Sequence, residues 1–227
     1  MIAFFSEFFG TALLLAVVTG SGIMGETLGS GNAAVALLGN SIATGAGLYV
    51  LITVIGPISG AHFNPVVSLM FWKLKQLETK SLIIYWIAQF TGAIVGVWAT
   101  HLMFILPILQ QSSKSRGGAG IWFSECLGTI ILLSVIKLGL KNSKENIPML
   151  VALTVTAGYW FTSSTFFCNP AVTFARSLTN TFVGIAQVDV YGFISAQALS
   201  AFLFIFLLSP KDHLKLFQYL YHRRCSA

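Results

Sequence analysis

The sequence predicts an all-α membrane protein: six transmembrane helices plus two re-entrant half-helices, arranged as an inverted repeat. Three observations carry this. Of 227 residues, 56% are hydrophobic and only 9% are charged, where a soluble domain carries about 25%; mean hydropathy is +0.81. Six long stretches are apolar enough to span a bilayer. An Asn-Pro pair opens a short apolar segment in each half, at Asn64-Pro65 and Asn169-Pro170. So little charge cannot clothe a water-soluble domain, and the composition also excludes disorder, coiled coil and a disulfide scaffold. The expectation is one transmembrane domain over 1–227, with a first repeat at about 1–106, a second at about 121–208 and a cytoplasmic tail at 209–227.

A bilayer core needs about 20 apolar residues per helix. The spans fall at roughly 2–22, 33–56, 82–106, 121–140, 147–166 and 189–208. The first sits where a signal peptide would, but it lacks a basic leader and carries Glu7, so it reads as a retained helix. Segments at about 64–72 and 169–178 are too short to span and read as re-entrant pieces.

The cations set the topology. With both termini cytoplasmic, ten Lys and Arg residues lie inside (Lys73, Lys75, Lys80, Lys137, Lys141, Lys144, Lys211, Lys215, Arg223 and Arg224). Three lie outside: Lys114, Arg116 and Arg176. That is a positive-inside bias, so the net charge of +6 is topology and not a nucleic-acid signature. Cys126, Cys168 and Cys225 have neither disulfide-framework nor zinc spacing. His101, His213 and His222 form no metal spacing with His62, and no cofactor is implied. The run Gly20-Ser21-Gly22-Ile23-Met24-Gly25 spells a dinucleotide motif, but it ends a membrane helix instead of following a strand.

The halves repeat. Ser6-Glu7 through Gly10-Thr11 matches Ser124-Glu125 through Gly128-Thr129. The run around Asn64-Pro65 matches that around Asn169-Pro170, and Ala88-Gln89 matches Ala196-Gln197, at offsets of 118, 105 and 108 residues. Three spans per repeat is odd, so the second copy enters from the opposite side, as in many transport folds. Proline suits a first helical position and asparagine an N-cap. Each pair therefore starts a half-helix, and the two starts meet near the midplane. There the asparagine NH₂ groups are free to donate into a lumen, and two positive helix ends oppose cations. Gly92-x-x-x-Gly96 and the small residues of 43–47 suit close helix packing.

On these motifs (Ser6-Glu7 with Gly10-Thr11, Ser59-Gly60-Ala61-His62-Phe63-Asn64-Pro65-Val66 and Asn169-Pro170-Ala171) the sequence resembles the aquaporin, or major intrinsic protein, family over nearly its whole length. Val66 stands where alanine is usual. The resemblance implies a pore in each protomer of a homotetramer. It makes Glu7, Glu125 and His62 braces for the re-entrant loops, although the residues alone also allow a carboxylate pair and a histidine gate. It implies a passive channel for water and small uncharged solutes, in a plasma membrane. Compact length and short tails favour a bacterial inner membrane.

The resemblance also points to a selectivity filter of four positions. Counting back from the boxes puts Thr44 on the second span, Ala157 or Gly158 on the fifth, and Phe166 in the second loop. Val172 follows Asn169-Pro170-Ala171, where the family usually keeps an arginine. A ring of Thr44, a small residue, Phe166 and Val172 would be wide and weakly polar, favouring glycerol, urea or neutral metalloid acids such as arsenite; a water-selective pore is the alternative. Arg176 lies one helical turn beyond Val172 and either reaches back to the filter or pairs with a loop carbonyl or anion. Cys168 is either a packing residue or a pore-proximal thiol. No H-E-x-x-H or G-x-S-x-G motif suggests an enzyme, and a coupled transporter would need an intramembrane acid beyond Glu7 and Glu125.

Overall fold

The computed structural model describes residues 1–207. The first half holds α1 (Ile2–Leu28), α2 (Ala33–Ser59), α3 (Pro65–Lys73) and α4 (Thr79–Met103). The second holds α5 (Ala119–Asn142), α6 (Ile147–Phe161), α7 (Pro170–Arg176) and α8 (Gln187–Leu207). The order long, long, short, long is the same in both. The tail expected at 209–227, with Lys211, Lys215, Arg223, Arg224 and Cys225, lies outside the described residues.

Among the described residues five helices, α1, α2, α4, α5 and α8, are long and apolar enough to cross a membrane. The fifth expected span differs. α6 stops at Phe161, not 166, and has 15 residues, about 22 Å at 1.5 Å per residue. A 3₁₀ turn at Lys144–Asn146 precedes it, and Thr162 is extended (φ −105°, ψ 137°). Thr165 and Phe166 then adopt positive φ, at 62° and 55°. These bends turn the chain inward toward α7 before the helix can lengthen.

Polarity is inverted relative to a soluble protein. Phe5, Phe9 and Leu13 of α1, and Val50, Val54 and Ile58 of α2, recur every four residues on exposed helix faces. Glu7, Gln89, Glu125 and Gln197 are fully enclosed, as expected where a polar group facing hydrocarbon is expensive. Within the first half α1 packs most extensively on α4 and α2; in the second, α5 packs on α8 and α6. α2 and α6 join the halves. Close contact depends on missing side chains: a Cβ at Gly92 or Gly96 of α4 would strike the Phe8 or Ala12 carbonyl of α1. The half-helices α3 and α7 both lie against α4 and α8 and touch each other.

Candidate functional site

Each half-helix begins as its sequence dictates. Asn64 Oδ1 accepts from Val66 N at 3.0 Å, and Asn169 Oδ1 accepts from Ala171 N at 3.0 Å and Val172 N at 3.3 Å, with Pro65 and Pro170 at the start of each helix. The loops leading in are strained in matching places. Ala61 and Phe63 sit at φ 49° and 48°; 105 residues on, Phe166 and Cys168 sit at 55° and 46°. Each such residue costs about 1–3 kcal/mol, so something must hold it.

Carboxylates hold them. Glu7 Oε1 accepts from Ser59 Oγ (2.7 Å) and His62 N (2.9 Å), and Oε2 from Phe63 N and Gln89 Nε2 (both 2.8 Å). Glu125 accepts from Phe167 N (3.0 Å), Cys168 N (2.8 Å) and Gln197 Nε2 (2.6 Å). The His62 ring stacks on Phe71 at 4.3 Å, meets Tyr85 edge-on, and shares a 3.1 Å hydrogen bond with Ser68 Oγ.

The asparagine amides are less free than the sequence suggested. Asn64 Nδ2 donates to Cys168 O and Asn169 Nδ2 to Phe63 O, both at 2.8 Å. Each asparagine thus ties its own half-helix to the other repeat's loop, and one amide hydrogen of each remains for the lumen.

A cavity of about 130 Å³ runs past both asparagines and His62. Leu48, Ile52, Ile136, Leu140 and Val151 make much of its wall apolar. Thr44, Phe166, Val172 and Arg176 line it too. Ala157 and Gly158 do not. Ala157 is exposed on the far side of α6, and Gly158 is covered by the Phe166 ring. The residue in their place is Tyr159, whose hydroxyl shares a 3.2 Å hydrogen bond with Thr44 Oγ1. The miss has a simple cause: one residue turns a helix by about 100°, and the bends between 162 and 168 make counting back from Asn169 unreliable. The face was legible another way, because Val151, Val155 and Tyr159 recur every four residues and all line the cavity.

Arg176 is buried, lines the cavity, and donates from Nε to Val183 O at 2.5 Å. The two placements considered from sequence are therefore compatible. Its Cζ lies 3.4 Å from the centre of the Phe167 ring, a cavity residue that the sequence reading missed. Half-buried Arg116 lies over the same ring at 5.6 Å, and burial pulls its guanidinium below its ordinary pKa. Cys168 is enclosed, and its Sγ packs against Gly128 of α5 behind the wall, which favours the packing reading over a lumenal thiol.

The family model described as Major intrinsic protein matches residues 1–162. The chain is also 50% identical over 196 residues to "Aquaglyceroporin AqpS" of Rhizobium meliloti (strain 1021), covering 86% of this chain and 84% of that one. The chain belongs to the major intrinsic protein family. A more distant relative is "Aquaporin NIP2-3" of Zea mays, 26% identical, covering 87% of this chain and 74% of that one. The X-ray structure of the aquaglyceroporin from Plasmodium falciparum shares the fold, with TM-score 0.68 at 22% identity, covering 89% of this chain and 92% of that one. This major intrinsic protein is thus a multi-pass membrane channel for water and small solutes, in a family of channels and not of enzymes.

Proposed function

We propose that this channel passes water together with glycerol, urea or neutral metalloid acids such as arsenite, passively, through a pore in each protomer. The observation that carries the proposal is the lining around Val172. Thr44, Tyr159 and Arg176 supply hydroxyl and guanidinium groups, while Phe166 and Val172 are apolar. A solute with hydroxyls along one edge and carbon along the other suits such a wall. The name of the R. meliloti relative supports the same reading.

Asn64 and Asn169 act as the central donors. The paired positive ends of α3 and α7, with the Arg176 charge, oppose protons and cations. Glu7, Glu125 and His62 brace the loops and take no part in transport. The channel works as a homotetramer in a plasma membrane, the inner membrane of a bacterium, with both termini cytoplasmic, a reading that the cation distribution supports. A second reading, a strictly water-selective pore, draws support from the Thr44–Tyr159 hydrogen bond, which links α2 and α6 at the cavity wall. Stopped-flow light scattering on proteoliposomes separates the two. Water and glycerol permeability both above protein-free vesicles supports the wider pore; water flux with no uptake of glycerol, urea or arsenite selects the second reading.

A further inference from the structure

Three consecutive carbonyls, those of Phe182, Val183 and Gly184, are gripped alternately by two guanidiniums. Arg116 donates from Nη2 to Phe182 O at 3.1 Å and from Nε to Gly184 O at 2.7 Å. Between them, Arg176 Nε donates to Val183 O. The Phe167 ring lies against both cations. Each guanidinium carries five N–H groups and stays charged at any physiological pH. Among the described residues, these carbonyls take only part of that donor capacity.

Among the described residues neither cation forms an ion pair, although the Glu125 charge lies close enough to act on Arg176. Lys114 pairs instead with Glu26, at 3.5 Å. Asp189 accepts from the backbone N of Arg116 and from Ser115 Oγ. Glu125 is occupied by Phe167 N, Cys168 N and Gln197. Two permanent charges beside one ring, one of them 2% exposed, are costly to bury unpaired; carbonyl dipoles and a ring face offset only part of that. The unused donors have somewhere to point. Arg176 lines the cavity, and Arg116 lines a separate outer pocket with Lys114, Ser163 and Ser164.

We propose that the cavity wall at Phe167 and Arg176, with Arg116 over the same ring, binds a small oxyanion, a carboxylate or phosphate group seated on the Arg176 fork, and that the bound anion obstructs the water path. The obstruction rests on the channel reading; the binding does not. The anion adds counter-charge beyond what Val183 O and the ring face supply. Charge-assisted, two-pronged contacts of this kind are the strong ones.

Two measurements on the purified full chain test this, with inorganic phosphate and acetate as probes against chloride at equal ionic strength, pH and osmolarity. Thermal unfolding in detergent reads binding. Phosphate raises the melting temperature in a saturable way in the parent, Arg116→Gln weakens the apparent affinity by about tenfold, and Arg176→Lys, which keeps charge but loses the fork, weakens it as well. Stopped-flow water permeability reads obstruction: flux falls with phosphate over the same concentration range, each variant being compared with its own anion-free rate. No oxyanion-specific stabilisation and no loss of flux in the parent at tens of millimolar would overturn the site. Stabilisation in a protein that passes no water would keep the site and overturn the channel reading.

Discussion

In the first re-entrant loop the His62 ring stacks on Phe71; in the second, 105 residues on, Phe167 takes the place of His62 and Arg176 that of Phe71. Around this pair the two loops are built alike. A buried glutamate holds two successive backbone N–H groups in each, and a glutamine bonds that glutamate and a hydroxyl of the half-helix, Ser68 or Thr173. The scaffold is therefore separable from the chemistry it carries. The same cradle presents a stacked ring pair on one side and a cation on a ring on the other. These two positions give the second loop a charge that the first lacks.

The largest effect is expected where the loops agree. Glu125→Ala leaves the Phe167 and Cys168 N–H groups buried without a partner, and Glu7→Ala does the same to His62 and Phe63. Each should cost about 3–5 kcal/mol or abolish folding, read as melting temperature and yield of monodisperse protein. A large loss in one variant and none in the other would break the equivalence of the loops. Next comes Gly158→Leu, which drives a side chain into the Phe166 ring and should cost about 1–3 kcal/mol by overpacking.

Where the loops differ, the effects fall on selectivity. Arg176→Phe copies the first loop's ring pair into the second, and should raise cation leak in proteoliposomes while water still passes. An unchanged leak would locate exclusion in the half-helix ends alone. Tyr159→Ala removes the hydroxyl bonded to Thr44 and should raise glycerol flux relative to water; Tyr159→Phe should do so less. The smallest effect is expected at Cys168, enclosed behind the wall. Mercurials should leave water flux of the intact protein unchanged, and inhibition lost in Cys168→Ser would contradict that placement.

Helix number, the half-helices and the paired Asn-Pro starts were legible because lipid imposes long apolar runs and because Pro and Asn have fixed meaning at a helix start. Ala157, Gly158 and Tyr159 were not separable by counting, since the intervening loop bends at Thr165, Phe166 and Cys168, residues with no glycine to announce a positive φ. The reciprocal ties of Asn64 to Cys168 and Asn169 to Phe63 were equally hidden, because they depend on two loops meeting from distant parts of the chain. Nothing in the sequence singles out Phe167, since its neighbour Phe166 falls at the expected filter position, and only the ring's place beside Arg176 marks it out.

The most direct test of the central claim is glycerol permeability of parent proteoliposomes beside that of Tyr159→Ala, each divided by its own water permeability. The account expects a parent ratio above that of protein-free vesicles and a higher one still in the variant. A parent that passes water and no glycerol, with a ratio unmoved by Tyr159→Ala, would contradict both the wider pore and the place of Tyr159 in its wall.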